Sequence, residues 1–145
     1  MLVNEAGMSS QEAERLIADL QKDAFLRVLV VDDEPSFLRF AREALTAVEV
    51  MEATDGLDAL DVVQSQQPDL VVTDIKMPKM DGVELLGELR RQYPDLPVLA
   101  ISGYMDADTM EGHGFDGFVR KPVRVEQFRH VVEETLASPK KAEEA

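Results

Sequence analysis

Val28-Leu29-Val30-Val31-Asp32-Asp33-Glu34 decides how the chain is read. Four apolar, mostly β-branched residues run directly into three carboxylates. An apolar run without alternation suits a strand covered on both faces. The acids then fall where the strand ends, at a sheet edge open to water. Carboxylates this close repel one another and raise each other's pKa unless a cation intervenes. Their oxygens are hard ligands, and Mg²⁺ suits a site of one or two protein carboxylates completed by water.

The same pattern recurs downstream. Leu70-Val71-Val72-Thr73-Asp74 is a second apolar run ending in an acid. Val98-Leu99-Ala100-Ile101-Ser102-Gly103 ends in a hydroxyl, and Gly117-Phe118-Val119-Arg120-Lys121-Pro122 ends in a lysine. In an open parallel sheet the carboxyl ends of the strands share one edge, and ligands bind there. Asp32, Asp33, Asp74, Ser102 and Lys121 should therefore converge on one pocket. That set would hold a divalent metal beside a phosphoryl group.

The segments between these runs read as helices. Pro35 suits a first helical turn, and Phe37, Ala41, Ala44, Leu45 and Val48 form its inward stripe. Val50–Ala53 is a short strand, and Asp55-Gly56 turns the chain. Leu57, Leu60 and Val63 mark the next helix, closed before Pro68. Another starts near Asp81, with Val83, Leu86 and Leu89 inward. The last runs from about Val125 to Ala137, with Val125, Phe128, Val132 and Leu136 on one face. Five strands alternating with helices indicate an α/β fold, a doubly wound five-stranded parallel sheet with right-handed crossovers. Its expected order is 2-1-3-4-5, flavodoxin-like.

Two segments break the rhythm. Between Ser102 and Gly117, residues Tyr104 to Gly114 leave room only for a short or irregular helix, weakened by Gly112 and Gly114. At the N-terminus, Ser9-Ser10-Gln11-Glu12 matches a capping box. Behind it Ala13, Leu16, Ile17, Leu20 and Ala24 share one helical face. This amphipathic helix either packs on its own domain or meets a partner or a second copy. The expected organisation is an extension over 1–24, a domain over 25–137 and a disordered polar tail over 138–145.

Composition limits the partners. The 145 residues include no cysteine and carry a net charge of −14. Direct nucleic-acid binding needs a basic surface, and so does adhesion to an anionic membrane; neither is expected. With no thiol, disulfide and thiolate chemistry are excluded. No stretch has the pattern of a signal peptide or the length of a membrane span, which points to a cytoplasmic protein. His113 and His130 stand apart and form no metal cluster.

The ordered set Asp32-Asp33, Asp74 with Met77-Pro78 and Asp81-Gly82, Ser102, and Lys121-Pro122 resembles the receiver domain of two-component response regulators. The resemblance spans roughly Phe25 to Ala137. It implies that Asp74 accepts a phosphoryl group from a histidine kinase or phosphotransfer protein. Asp33, Asp74 and the main-chain carbonyl of Lys76 would hold Mg²⁺, with Asp32 in support. Lys121 and Ser102 would contact the phosphoryl oxygens, and the Lys121-Pro122 peptide would be cis. Ser102 and Phe118 would move together as a switch that alters binding to an unidentified downstream protein. The chain ends soon after the last helix, so the expectation is a stand-alone switch or, alternatively, a phosphotransfer intermediate or phosphate sink in a phosphorelay. The N-terminal helix offers a surface for a homodimer. Turnover of phosphate esters is not expected, because aspartyl phosphatases need Asp-x-Asp after the first strand and here the acids are adjacent. The only catalysis expected is Mg²⁺-dependent phosphorylation and dephosphorylation of the protein itself.

Overall fold

The computed structural model describes residues 26–103 and 114–137. The predicted N-terminal helix, the helix expected between Ser102 and Gly117, and the polar tail lie outside them. Five strands, β1 (Arg27–Val31), β2 (Glu49–Ala53), β3 (Leu70–Asp74), β4 (Val98–Ser102) and β5 (Gly117–Arg120), form one sheet. All pairings are parallel and the order is β2-β1-β3-β4-β5, as expected. The helices among the described residues are α1 (Pro35–Ala44), α2 (Gly56–Gln66), α3 (Gly82–Gln92) and α4 (Val125–Leu136).

Strand side chains alternate between two cores. Val28 and Val30 join Leu70, Val72, Leu99, Ile101 and Val119 beneath α1 and α4, where Phe37, Phe128 and Val132 fill the space. Leu29 and Val31 face the other way and meet Val71, Val98, Ala59, Val63 and the α3 leucines Leu85, Leu86 and Leu89. Covering on both faces is what makes the β1 run uniformly apolar. The rings of Phe37, Phe40 and Phe128 pack together between α1 and α4, with centroids 5.5 to 5.8 Å apart.

The helix faces differ from the sequence reading in places. Helix α1 ends at Ala44, and Val48 packs against the core from the turn beyond it. Leu57 lies on the outer side of α2 and is exposed, while Ala59 takes the inward position. On α3 Leu85 is fully buried and Val83 only half-buried. Val125 opens α4 in solvent, before the helix has met the core.

Candidate functional site

The carboxyl ends of β1, β3, β4 and β5 lie side by side. Val31 pairs with Thr73, Asp74 with Ile101, and Ser102 with Arg120. This register brings residues from Asp32 to Lys121 to one rim. Oxygens of Asp32, Asp33 and Asp74 lie within 4.8 Å of one another. Asp32 is fully buried, Asp33 is exposed, and Asp74 is half-buried.

Lys121 enters this group from the end of β5. Its Nζ donates to Asp32 Oδ2 at 2.8 Å and to Glu34 Oε1 at 3.0 Å. It lies 3.5 Å from Asp74 Oδ2. The ammonium also sits 4.7 Å from the centre of the Phe37 ring, a cation–π arrangement. The Lys121-Pro122 peptide is cis, as the resemblance implies. Backbone amides orient the acids: Ile75 N–H donates to Asp74 Oδ1, and Glu34 N–H donates to Asp32 Oδ1.

Ser102 is buried at the end of β4, and its carbonyl accepts the Lys121 N–H at 2.9 Å. Phe118, opposite Ala100 on β5, is 43% exposed. An ordinary core position would bury it. Lys76 is exposed in the loop after β3.

That loop is held at both ends by close backbone approach. A Cβ on Gly82 would overlap the Asp74 carbonyl oxygen, and Gly82 N–H donates to Ile75 O at 2.8 Å. A Cβ on Gly56 would come within 2.8 Å of Met80 O, the oxygen that accepts Gly56 N–H. Asp81 then caps α3, with a reciprocal bond between its backbone N–H and Glu84. The two Asp-Gly pairs, noted in the sequence as turn and family signals, thus anchor the segment that follows Asp74.

The electrostatics are unbalanced. Burial raises the Asp74 pKa and the nearby Asp32 charge raises it further, against the pull of Lys121. Burial also raises Asp32, opposed by its hydrogen bond from Lys121. Burial alone would lower Lys121, but its hydrogen bonds to Asp32 and Glu34 outweigh that and raise it well above the ordinary lysine value. Among the described residues the Lys121 ammonium meets three carboxylates, and Asp33 adds a fourth to the cluster. Clustered hard oxygen donors in charge excess fit a divalent cation such as Mg²⁺. Among the described residues no helix is long and apolar enough to cross a membrane.

Comparison with known proteins agrees with this architecture. Residues 28–133 match the response regulator receiver domain, and the chain belongs to that family. It is 40% identical over 106 residues to the C4-dicarboxylate transport transcriptional regulatory protein DctD of Pseudomonas aeruginosa, covering 69% of this chain and 23% of that protein. It is 35% identical over 129 residues to a 14.6 kDa protein of Leptolyngbya boryana, covering 83% of this chain and 98% of that one. Among solved structures, a CheY-like receiver domain protein from Methanospirillum hungatei superposes with a TM-score of 0.76 at 26% identity, over 81% of this chain and 98% of the other. Several curated relatives are longer: the chain spans 50% of a C4-dicarboxylate response regulator of Bacillus subtilis. Receiver domains are transducers of two-component signals, regulated by phosphorylation.

Proposed function

We propose that Asp74 is the phosphoacceptor of a two-component signalling switch. The observation that carries this is the position of its carboxylate. It lies at the rim, 12% exposed, with Lys121 Nζ at 3.5 Å and the Asp32 and Asp33 oxygens within 4.8 Å. A nucleophile for phosphoryl transfer must reach solvent on one side and cationic help on the other.

The donor is a phosphohistidine of a kinase or phosphotransfer protein. An Asp74 carboxylate oxygen forms a bond to phosphorus as the phosphorus–nitrogen bond to the donor breaks. The electron pair stays on the imidazole, which takes up a proton from solvent. Bound Mg²⁺ would supply charge neutralisation between acceptor and phosphoryl oxygens. Asp33, Asp74 and the Lys76 carbonyl would hold it, with Asp32 acting through water. Lys121 gives the phosphoryl group a point-charge partner.

Output follows from the bistable pair. Ser102 would shift to hydrogen-bond a phosphoryl oxygen, and Phe118 would turn inward from its exposed position. Phosphorylation then favours one arrangement through contacts that exist only there. A downstream protein reads the altered surface, at a cytoplasmic location. The predicted N-terminal helix is the natural place for a partner or second copy to dock, which truncation of residues 1–24 tests through the oligomeric state.

Acetyl phosphate with Mg²⁺ should add one phosphoryl group, located at Asp74 by mass spectrometry. Asp74→Asn should abolish that label. A wild-type protein that stays unlabelled, or a label elsewhere, would overturn the assignment.

A further inference from the structure

The rim holds one carboxylate that the proposed chemistry does not use. Glu34 closes the stretch Asp32-Asp33-Glu34, and its Oε1 accepts from Lys121 Nζ at 3.0 Å. Its backbone is fixed: the N–H donates to Asp32 Oδ1, and the carbonyl accepts from Phe37 and Leu38 at the start of α1. The side chain is therefore launched from a rigid point toward the ammonium.

The partners of Lys121 differ in how easily they can leave. Its ammonium has three N–H donors. Asp32 is buried and cannot give up its partner without leaving an uncompensated charge. Asp74 is the most distant of the three carboxylates, at 3.5 Å. The Glu34 side chain is 61% exposed, so water replaces its bond readily. A phosphoryl group arriving on Asp74 draws the ammonium toward its own oxygens, and of the two hydrogen bonds that hold Nζ back the one to Glu34 is the one water can replace.

We propose that Glu34 is a displaceable counter-ion for Lys121, occupying the ammonium at rest and yielding it to the phosphoryl group. Glu34 touches no reacting atom. It acts through Lys121 and is a positioning residue that slows loading, both by holding the ammonium and by adding one negative charge at the mouth through which an anionic donor enters. This role rests on Asp74 being the phosphoacceptor.

Glu34→Gln keeps the shape and removes the charge, and Glu34→Asp keeps the charge and shortens the reach. At saturating Mg²⁺, Glu34→Gln should load from acetyl phosphate about fivefold faster, the factor matching an exposed ion pair. Glu34→Asp should fall between Gln and wild type. Beryllofluoride, a phosphoryl mimic that needs no transfer step, should bind Glu34→Gln tighter by a similar factor in calorimetry. The gap should narrow as salt is added. Mg²⁺ alone should bind the variant no more tightly than wild type, since a nearby negative charge has gone. If wild type is labelled at Asp74 but Glu34→Gln loads at the same rate or slower, the counter-ion role is wrong and the phosphoacceptor stands. If the gain comes with tighter Mg²⁺ binding or does not respond to salt, the counter-ion role is again wrong. If wild type is not labelled, both fall.

Discussion

The two edges of the sheet handle charge in opposite ways. At the amino edge, carboxylates are matched. Arg90 reaches from α3 to Asp116 Oδ2 at 2.7 Å and also donates to the Leu96 and Gly114 carbonyls, while the same Asp116 oxygen accepts Val98 N–H. Asp69 accepts the Arg27 N–H, and the Arg27 guanidinium bonds Gln66 O. At the carboxyl edge, Asp32, Glu34 and Asp74 share Lys121, and Asp33 adds its oxygens to the same cluster. One chain therefore contains both solutions. The matched edge locks loops to strands, and the carboxyl edge gathers negative charge that Lys121 offsets in part and a bound cation would offset further.

The largest effect should come from supplying that cation. Mg²⁺ at about a hundredfold above its dissociation constant should stabilise the protein by about 2.7 kcal/mol. Asp33→Asn should lose most of this gain while folding normally without metal, since its side chain is exposed. Equal Mg²⁺ stabilisation of variant and wild type in thermal melts would remove Asp33 from the site.

The amino edge should respond to mutation in the reverse sense. Arg90→Ala leaves the half-buried Asp116 without its guanidinium. The loss should be about 2 kcal/mol, the scale of a hydrogen bond to a charged group. Phosphodonor labelling of Asp74 should continue in the variant under conditions where it remains folded. Loss of labelling by the folded variant would mean that the two edges are coupled.

This contrast also explains what was legible in advance. Strand runs such as Val28–Val31 are uniform because both faces are covered, so the parallel sheet follows from pattern and spacing, while its order came from the common forms of the doubly wound fold. Asp32, Asp33, Asp74 and Lys121 were readable because strand ends in a parallel sheet share an edge. Contacts across the fold were not. Glu34 and Lys121 are joined by one flexible side chain reaching 87 positions along the sequence, and no periodicity encodes that. The Phe37 ring under the ammonium is similar: its spacing marks it as core, but not which cation lies over it. Leu57 helped mark its helix in the sequence, but the spacing did not show that Ala59, two positions on, would be the buried residue and Leu57 the exposed one. The tight approach of Gly82 to Asp74 had a signal in Asp81-Gly82, read there as a family motif rather than as steric necessity.

The smallest effect is a pH trend that separates the edges without mutation. Burial raises the folded-state pKa of both Asp32 and Asp74, and the Asp32 charge adds to the rise at Asp74. A carboxyl group that holds its proton more tightly when folded makes stability fall as pH rises from its unfolded value of 3.8 through the raised one. Lys121 has the same sign of linkage in an alkaline window: its raised pKa gives stability that is complete below 10.5 and lost as pH rises above it, outside the acidic range. Asp55 is shifted down by the Asp58 N–H that its carboxylate accepts, so its contribution is lost only as pH drops below 3.8. Metal-free protein should therefore lose stability as pH rises above 3.8 and the two raised carboxyl groups ionise. Saturating Mg²⁺ should flatten the trend, because the cation favours the ionised carboxylates in the folded state alone. Melting temperatures across that range, with and without Mg²⁺, test this directly. A metal-free protein that gains stability toward neutral pH would show that the carboxyl edge is already balanced, and the distinction between the two edges would be lost.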